Sequence, residues 1–244
     1  TTRFFFVLSI IFAVALAQVQ PGFQDVRNID TFDAVTPTIL IVVPNNPSFP
    51  MASEQTTIVG SSDGVIGNER NLLLTVLSGE SNDVLSTGVS NSDFSCTTPQ
   101  DATGVTLLQY DGSDSSSALN PNGLRQVSGL STNLRDGDAF AFHARMESDH
   151  PTNVIFRVYS GSSTNYCEAI QPLPGDDVVH DYFVNYNEFN DIGSGCDFSN
   201  VGAIEVVVEV RRNILRYLIF FFAKFSNFFF SIFRCLKMLM LLLK

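Results

Sequence analysis

Asp138-Ala139-Phe140-Ala141-Phe142-His143-Ala144-Arg145-Met146-Glu147 decides the fold class. Phe140, Phe142, Ala144 and Met146 fall on one side of an extended chain, and His143, Arg145 and Glu147 on the other. A period of two is that of a half-buried strand. Residues 153–160 repeat the pattern, with Val154, Phe156 and Val158 on one face. Residues 201–210 set Ile204, Val206, Val208 and Val210 against Glu205, Val207 and Glu209. Further strand candidates are 38–43, ended by Pro44, and 56–59, stopped by Gly60. Residues 71–77 end at Ser78-Gly79, and 105–110 at Asp111-Gly112. Between the runs lie turn-forming clusters such as Asp111-Gly112-Ser113-Asp114-Ser115-Ser116-Ser117. No segment keeps a helical period beyond two turns. Roughly ten short strands with this spacing predict an all-β fold, a single antiparallel β-sandwich of jelly-roll type.

The two ends differ from this body. Arg3 followed by the apolar run 4–16 and Ala15-Leu16-Ala17 predicts a secretory signal peptide over 1–17. The chain opens on Thr1, which predicts a gene fragment open at its 5′ end. Residues 18–23 form a lead-in, 24–210 the sandwich domain, and 211–244 a Phe-rich basic tail. That tail carries 8 of the 22 Phe and 7 basic groups, with no acid. Arg216, Lys224, Asn227 and Arg234 interrupt any membrane-spanning helix. Val210-Arg211 can be encoded by GTAAGA, a splice-donor-like sequence, so the tail reads as intron read-through. A membrane-associating segment is the alternative, and only then is a membrane a partner.

The whole chain has a formal charge of −11 over 244 residues. Residues 18–210 hold 25 acids and 6 arginines, a net charge of −19, and no Lys. Such a body is repelled by nucleic acid and by anionic surfaces. Cys96, Cys167 and Cys196 lie within it. Export to an oxidising compartment predicts one disulfide. Cys167–Cys196 is the expected pair because the two flank a strand–loop–strand segment, with Cys96 as the alternative partner of either. Closing such a loop stabilises by about 3–4 kcal/mol in the chain-entropy model.

Several stretches resemble segments of one family. These are Ile29-Asp30-Thr31-Phe32-Asp33, Ile66-Gly67-Asn68-Glu69-Arg70-Asn71-Leu72, Tyr110-Asp111-Gly112-Ser113-Asp114, Leu119-Asn120-Pro121-Asn122-Gly123-Leu124 and Asp197-Phe198-Ser199-Asn200-Val201-Gly202-Ala203-Ile204-Glu205. In this order the chain resembles an uncharacterised family of secreted, galactose-binding-like jelly-roll surface proteins. The resemblance spans nearly all of 29–209. It implies the sandwich fold and brings no enzymatic activity. The family continues with a further Asp-containing strand where this chain has the Phe-rich tail.

The chemistry-bearing residues point weakly to catalysis. Gly60-Ser61-Ser62-Asp63-Gly64 matches G-x-S-x-G, but a nucleophile elbow needs a following helix and another strand follows instead. His143, His150 and His180 lack metal-ligand spacing. Glu188 and Glu205 would form a glycosidase pair only at a defined separation in space. Asp30 and Asp33 beside the first strand offer hard oxygen ligands for a structural calcium, as do Asp111 and Asp114. Tyr110 and Tyr159 are the expected ligand surface, Tyr159 because it falls opposite Val154, Phe156 and Val158. The expectation is a secreted or cell-surface, non-enzymatic module with a binding or structural role, its partner an extracellular glycan or a surface protein. The rival reading is a carbohydrate-active enzyme or a carbohydrate-binding accessory module.

Overall fold

The computed structural model describes residues 24–58, 64–90, 93–99, 101–127, 133–134, 139–146, 151–211 and 214–224. The elements in chain order are β1 (Gln24–Asp30), β2 (Thr36–Val42), β3 (Met51–Ile58), β4 (Glu69–Ser78), β5 (Val84–Ser90), β6 (Asp93–Thr97), β7 (Thr103–Tyr110), the single helical turn α1 (Gly123–Gln126), β8 (Ala139–Met146), β9 (Thr152–Tyr159), β10 (Tyr166–Leu173), β11 (His180–Asn185), β12 (Asn190–Ile192), β13 (Ala203–Arg211) and β14 (Ile214–Lys224). The predicted signal peptide, the lead-in, residues 225–244 and most of the G-x-S-x-G stretch lie outside the described residues.

Two sheets of seven strands make an antiparallel sandwich. The first runs β11-β8-β14-β6-β5-β2, with β1 also laid along β14. The second runs β12-β10-β9-β13-β7-β4-β3. Successive stretches of chain cross between the sheets, as from β6 to β7 to β8 to β9, which is the jelly-roll habit. β14 falls within the segment set apart as the tail. Its backbone pairs with β8 on one side, and with β6 and then β1 on the other.

The alternation that decided the fold class is the packing of the core. Phe140, Phe142, Ala144 and Met146 of β8 are all buried, and Phe140 and Phe142 each lie against Phe156 of β9 at ring-centroid distances of 5.3 and 5.4 Å. In the second sheet, register places Leu72, Leu108, Val206, Phe156 and Ala169 in one inward row. Burying each large apolar side chain of such a row stabilises by about 1.5–3 kcal/mol. The same registers put Thr56, Asn71, Gln109, Glu205, Arg157, Glu168 and Asn190 in one row on the opposite, outer face.

Cys167 and Cys196 form a disulfide with a Cα–Cα distance of 5.2 Å, tying β10 to the loop after β12. Cys96 is buried in β6 and stands outside it.

Candidate functional site

Three of the motif segments meet at one buried point. Arg70 of β4 and Tyr110 of β7 share the inward parity of Leu72 and Leu108, so both side chains enter the core. There Asp30, at the end of β1, receives them. Arg70 donates from Nε to Asp30 Oδ2 at 2.5 Å and from Nη2 to Oδ1 at 2.6 Å. The Tyr110 hydroxyl donates to Oδ2 at 2.9 Å, and the Phe32 N–H to Oδ1 at 2.7 Å. The remaining guanidinium nitrogen donates to Ala34 O and Thr36 Oγ1, and the Phe32 ring lies 5.3 Å from the guanidinium carbon. Burial works against the Arg70 charge, but the Asp30 carboxylate outweighs it and holds the guanidinium above its ordinary pKa. Burial, then the Asp30 charge, pushes the Tyr110 hydroxyl well above its ordinary value.

Asp30 is therefore the counter-ion of Arg70, and both its oxygens face donors. A calcium ion there would have to displace the guanidinium. Asp33, three residues on, is exposed, because the chain turns through Phe32 at φ 58° and carries it out of the cluster. Of the pair expected to hold calcium, Asp30 is buried against Arg70 and Asp33 is exposed. Tyr110, expected on a ligand surface, is a fully buried core residue.

The outer face of the second sheet carries the other candidate residues. Arg157 donates to Glu168 Oε2 at 2.8 Å and lies 3.8 Å from Glu205 Oε2. Tyr159 donates its hydroxyl to the same Glu205 oxygen at 2.6 Å. Tyr166 flanks both, its ring 5.2 Å from the Tyr159 ring and 5.7 Å from the Arg157 guanidinium carbon. Burial raises the Glu205 carboxyl above the usual range, against the pull of Tyr159 and Arg157. Tyr159 is on the face the alternation assigns, yet it is only 4% exposed, because Tyr166 and Glu205 close over it. Tyr166, Arg157 and Glu168 are the partly exposed groups. Parity alone identifies Arg157 and Glu205 as outward. Their meeting with Glu168 and Tyr166 depends on a β9–β10 register that no local signal states. Glu188 instead sits in a short 3₁₀ turn and accepts from Asn185, away from this row.

Two residues along the strands from the polar row, on the same outer face, run Ile170, Ile155, Val207, Leu107 and Leu73, an apolar row parallel to the polar one. Ile170 is 57% exposed. Towards β4 the polar row passes beneath the loop after β7, where Asn71 donates to Ser116 O at 2.9 Å. That loop is pinned by close backbone approaches. A Cβ on Gly123 would lie 1.4 Å from Asp111 O, and one on Gly202 1.8 Å from Pro121 O. The loop and α1 line a cavity of about 240 Å³ with Asp111, Asp114, Asn120 and Gln126 on its walls.

No family model matches the chain, and no curated protein does. Among solved structures, the family 11 carbohydrate-binding module of the cellulosomal cellulase Lic26A-Cel5E of Clostridium thermocellum is 10% identical. That match covers 83% of this chain and 95% of the module, with a TM-score of 0.38. A family 11 module from the same organism, in complex with a β-1,3-1,4-mixed-linked tetrasaccharide, is 9% identical over 77% of this chain and 98% of its own, with a TM-score of 0.35. A CBM4 structure is 11% identical over 81% and 99%, with a TM-score of 0.31. Likenesses of this grade place no residue and assign no activity.

Proposed function

We propose that this chain is a non-catalytic, extracellular module that binds a neutral glycan on the outer face of its second sheet. The observation that carries the reading is the pairing of two parallel rows on that face. One row offers the half-exposed heads of Glu168 and Arg157, held from beneath by the buried Glu205; the other is aliphatic. A pyranose presents hydroxyls at its rim and C–H groups on its faces, and the two rows match that division. Tyr166 adds a half-buried aromatic face at one end of the rows. Rows on neighbouring strands advance about 4.8 Å per strand, so four strands span a few sugar units at most. The net charge of the body favours a neutral ligand over a polyanionic one. The Cys167–Cys196 bridge supports an oxidising compartment.

Probing a glycan array with the full chain tests this. Binding to a defined neutral oligosaccharide is expected, weakened about tenfold or more by Tyr166→Ala and by Glu168→Gln. Leu40→Ser, on the outer face of the first sheet, should leave it unchanged. Binding that is lost with Leu40→Ser and kept with the other two would move the site to the wrong sheet and overturn the reading.

A further inference from the structure

Glu69 and Asn71 share the outward parity of β4, and Asp111 follows β7 beside them. The Glu69 and Asp111 residues are completely buried. Among the described residues no cationic side chain pairs with either. Glu69 Oε2 takes the Ser115 N–H at 2.9 Å, and Asp111 Oδ2 takes Gln109 Nε2 at 2.8 Å and the Asn120 N–H at 2.6 Å. The facing oxygens share one neutral donor. Asn71 Nδ2 lies 3.4 Å from Glu69 Oε1, 3.3 Å from Asp111 Oδ1 and 2.9 Å from Ser116 O. An amide nitrogen has two protons and cannot serve three acceptors. Asn71 is itself only 4% exposed, and its Oδ1 is buried with no hydrogen-bond partner. The amide head thus sits between two carboxylates and a carbonyl with its own acceptor orphaned. Burial, with the nearby Asp114 and Glu69 charges, raises Asp111 to about 6, the Asn120 N–H and Gln109 notwithstanding.

Burying two carboxylates without a cation is costly, and an orphaned amide oxygen adds to that cost. Turning the Asn71 amide over exchanges its two ends and directs Oδ1 at the same three oxygens. That arrangement is repulsive unless a cation lies among them. We propose that Glu69, Asp111, the Asn71 side-chain oxygen and the Ser116 carbonyl bind a hard divalent cation, calcium in preference to magnesium. Two carboxylates, an amide and a main-chain carbonyl form the mixed oxygen set that calcium accepts, with water completing its six to eight ligands. Magnesium demands a tighter octahedron and holds its own water.

The site is independent of glycan binding, so its test does not depend on that reading. The full chain is stripped with EDTA, titrated with terbium(III) under tyrosine excitation, and then back-titrated with calcium or magnesium. One calcium-displaced terbium site is expected, with magnesium displacing it only at about tenfold or higher concentration. Glu69→Gln should weaken calcium about tenfold or more, and Asn71→Asp, which adds a ligand charge, should tighten it. Absence of a calcium-displaced signal from the wild-type chain overturns the proposal, as does an affinity that neither substitution changes.

Discussion

β4 and the end of β7 feed two buried polar clusters on opposite faces, through neighbours in sequence: Arg70 and Tyr110 on one, Glu69 and Asp111 on the other. On the inner face, Asp30 meets Arg70 and Tyr110, and every oxygen of the carboxylate has a donor of its own. On the outer face, Glu69 and Asp111 meet only amides, and one of those amides is itself left unsatisfied. Both clusters are buried. Burial alone therefore does not separate a structural ion pair from a ligand site. The difference lies in whether the positive charge is part of the chain. The inner cluster carries its counter-ion as Arg70; the outer one must take it from solution or hold a proton.

The largest consequence falls on the closed cluster. Arg70→Ala leaves Asp30 buried and unpaired, and should cost about 3–5 kcal/mol in urea unfolding, as breaking a buried pair from one side does. Asp30→Ala should cost as much, and the double variant less than the sum, because the two act as one unit. If either single substitution changes stability by less than about 1 kcal/mol, Arg70 is not the counter-ion that sets the two faces apart.

The outer cluster should respond with the opposite sign. In EDTA, Glu69→Gln removes one of two carboxylate charges buried without a cation and keeps a side-chain oxygen to accept from Ser115. A gain on the order of 1 kcal/mol is expected, from the relieved cost of burying that charge. A loss of that size would show that the outer carboxylates are as well satisfied as Asp30.

These two faces mark how far the sequence could be read. Period-two alternation assigns Phe140, Phe142, Val154, Phe156, Ile204 and Val206 to the core, and the structure buries them all. The same alternation puts Tyr159 outward, and it is. Its burial comes from Tyr166 on the next strand, which is a matter of register. Asp30 and Asp33 look like one carboxylate cluster in the sequence, but with a left-handed residue between them one is buried on Arg70 and the other is exposed. Arg70 lies 40 residues from Asp30, and nothing local announces their pairing. β5, β10 and β11 lack strong alternation and are fixed by their partners, and β6 alternates over only five residues.

Acidity sharpens the comparison further. Asp111 stands at about 6 in the folded chain against 3.8 for a free side chain, raised first by burial. Between those values the folded state keeps a proton that the unfolded chain gives up. This group therefore favours folding below the window and loses that contribution as pH rises through it. Glu205, raised by burial, adds to the same slope. In EDTA the melting temperature should rise as pH falls from 7 to 5, and Asp111→Asn should flatten that slope in part. Saturating calcium should flatten it as well, since a bound cation holds the carboxylate ionised.

The smallest expected effect is the most discriminating. Asp33 is exposed, so Asp33→Ala should cost less stability than either substitution in the buried Asp30–Arg70 pair. The sequence expectation placed calcium at Asp30 and Asp33; the outer cluster places it on other segments of the chain, at Glu69 and Asp111. Thermal unfolding with and without millimolar calcium, at matched ionic strength, separates the two. A ligand that binds only the folded state raises the melting temperature by mass action. That rise should persist in Asp33→Ala and vanish in Glu69→Gln. The reverse pattern, a rise lost with Asp33→Ala and kept with Glu69→Gln, would return the cation to the first strand. The Glu69–Asp111 pair would then be held by protonation alone, with Asp111 as its titrating member.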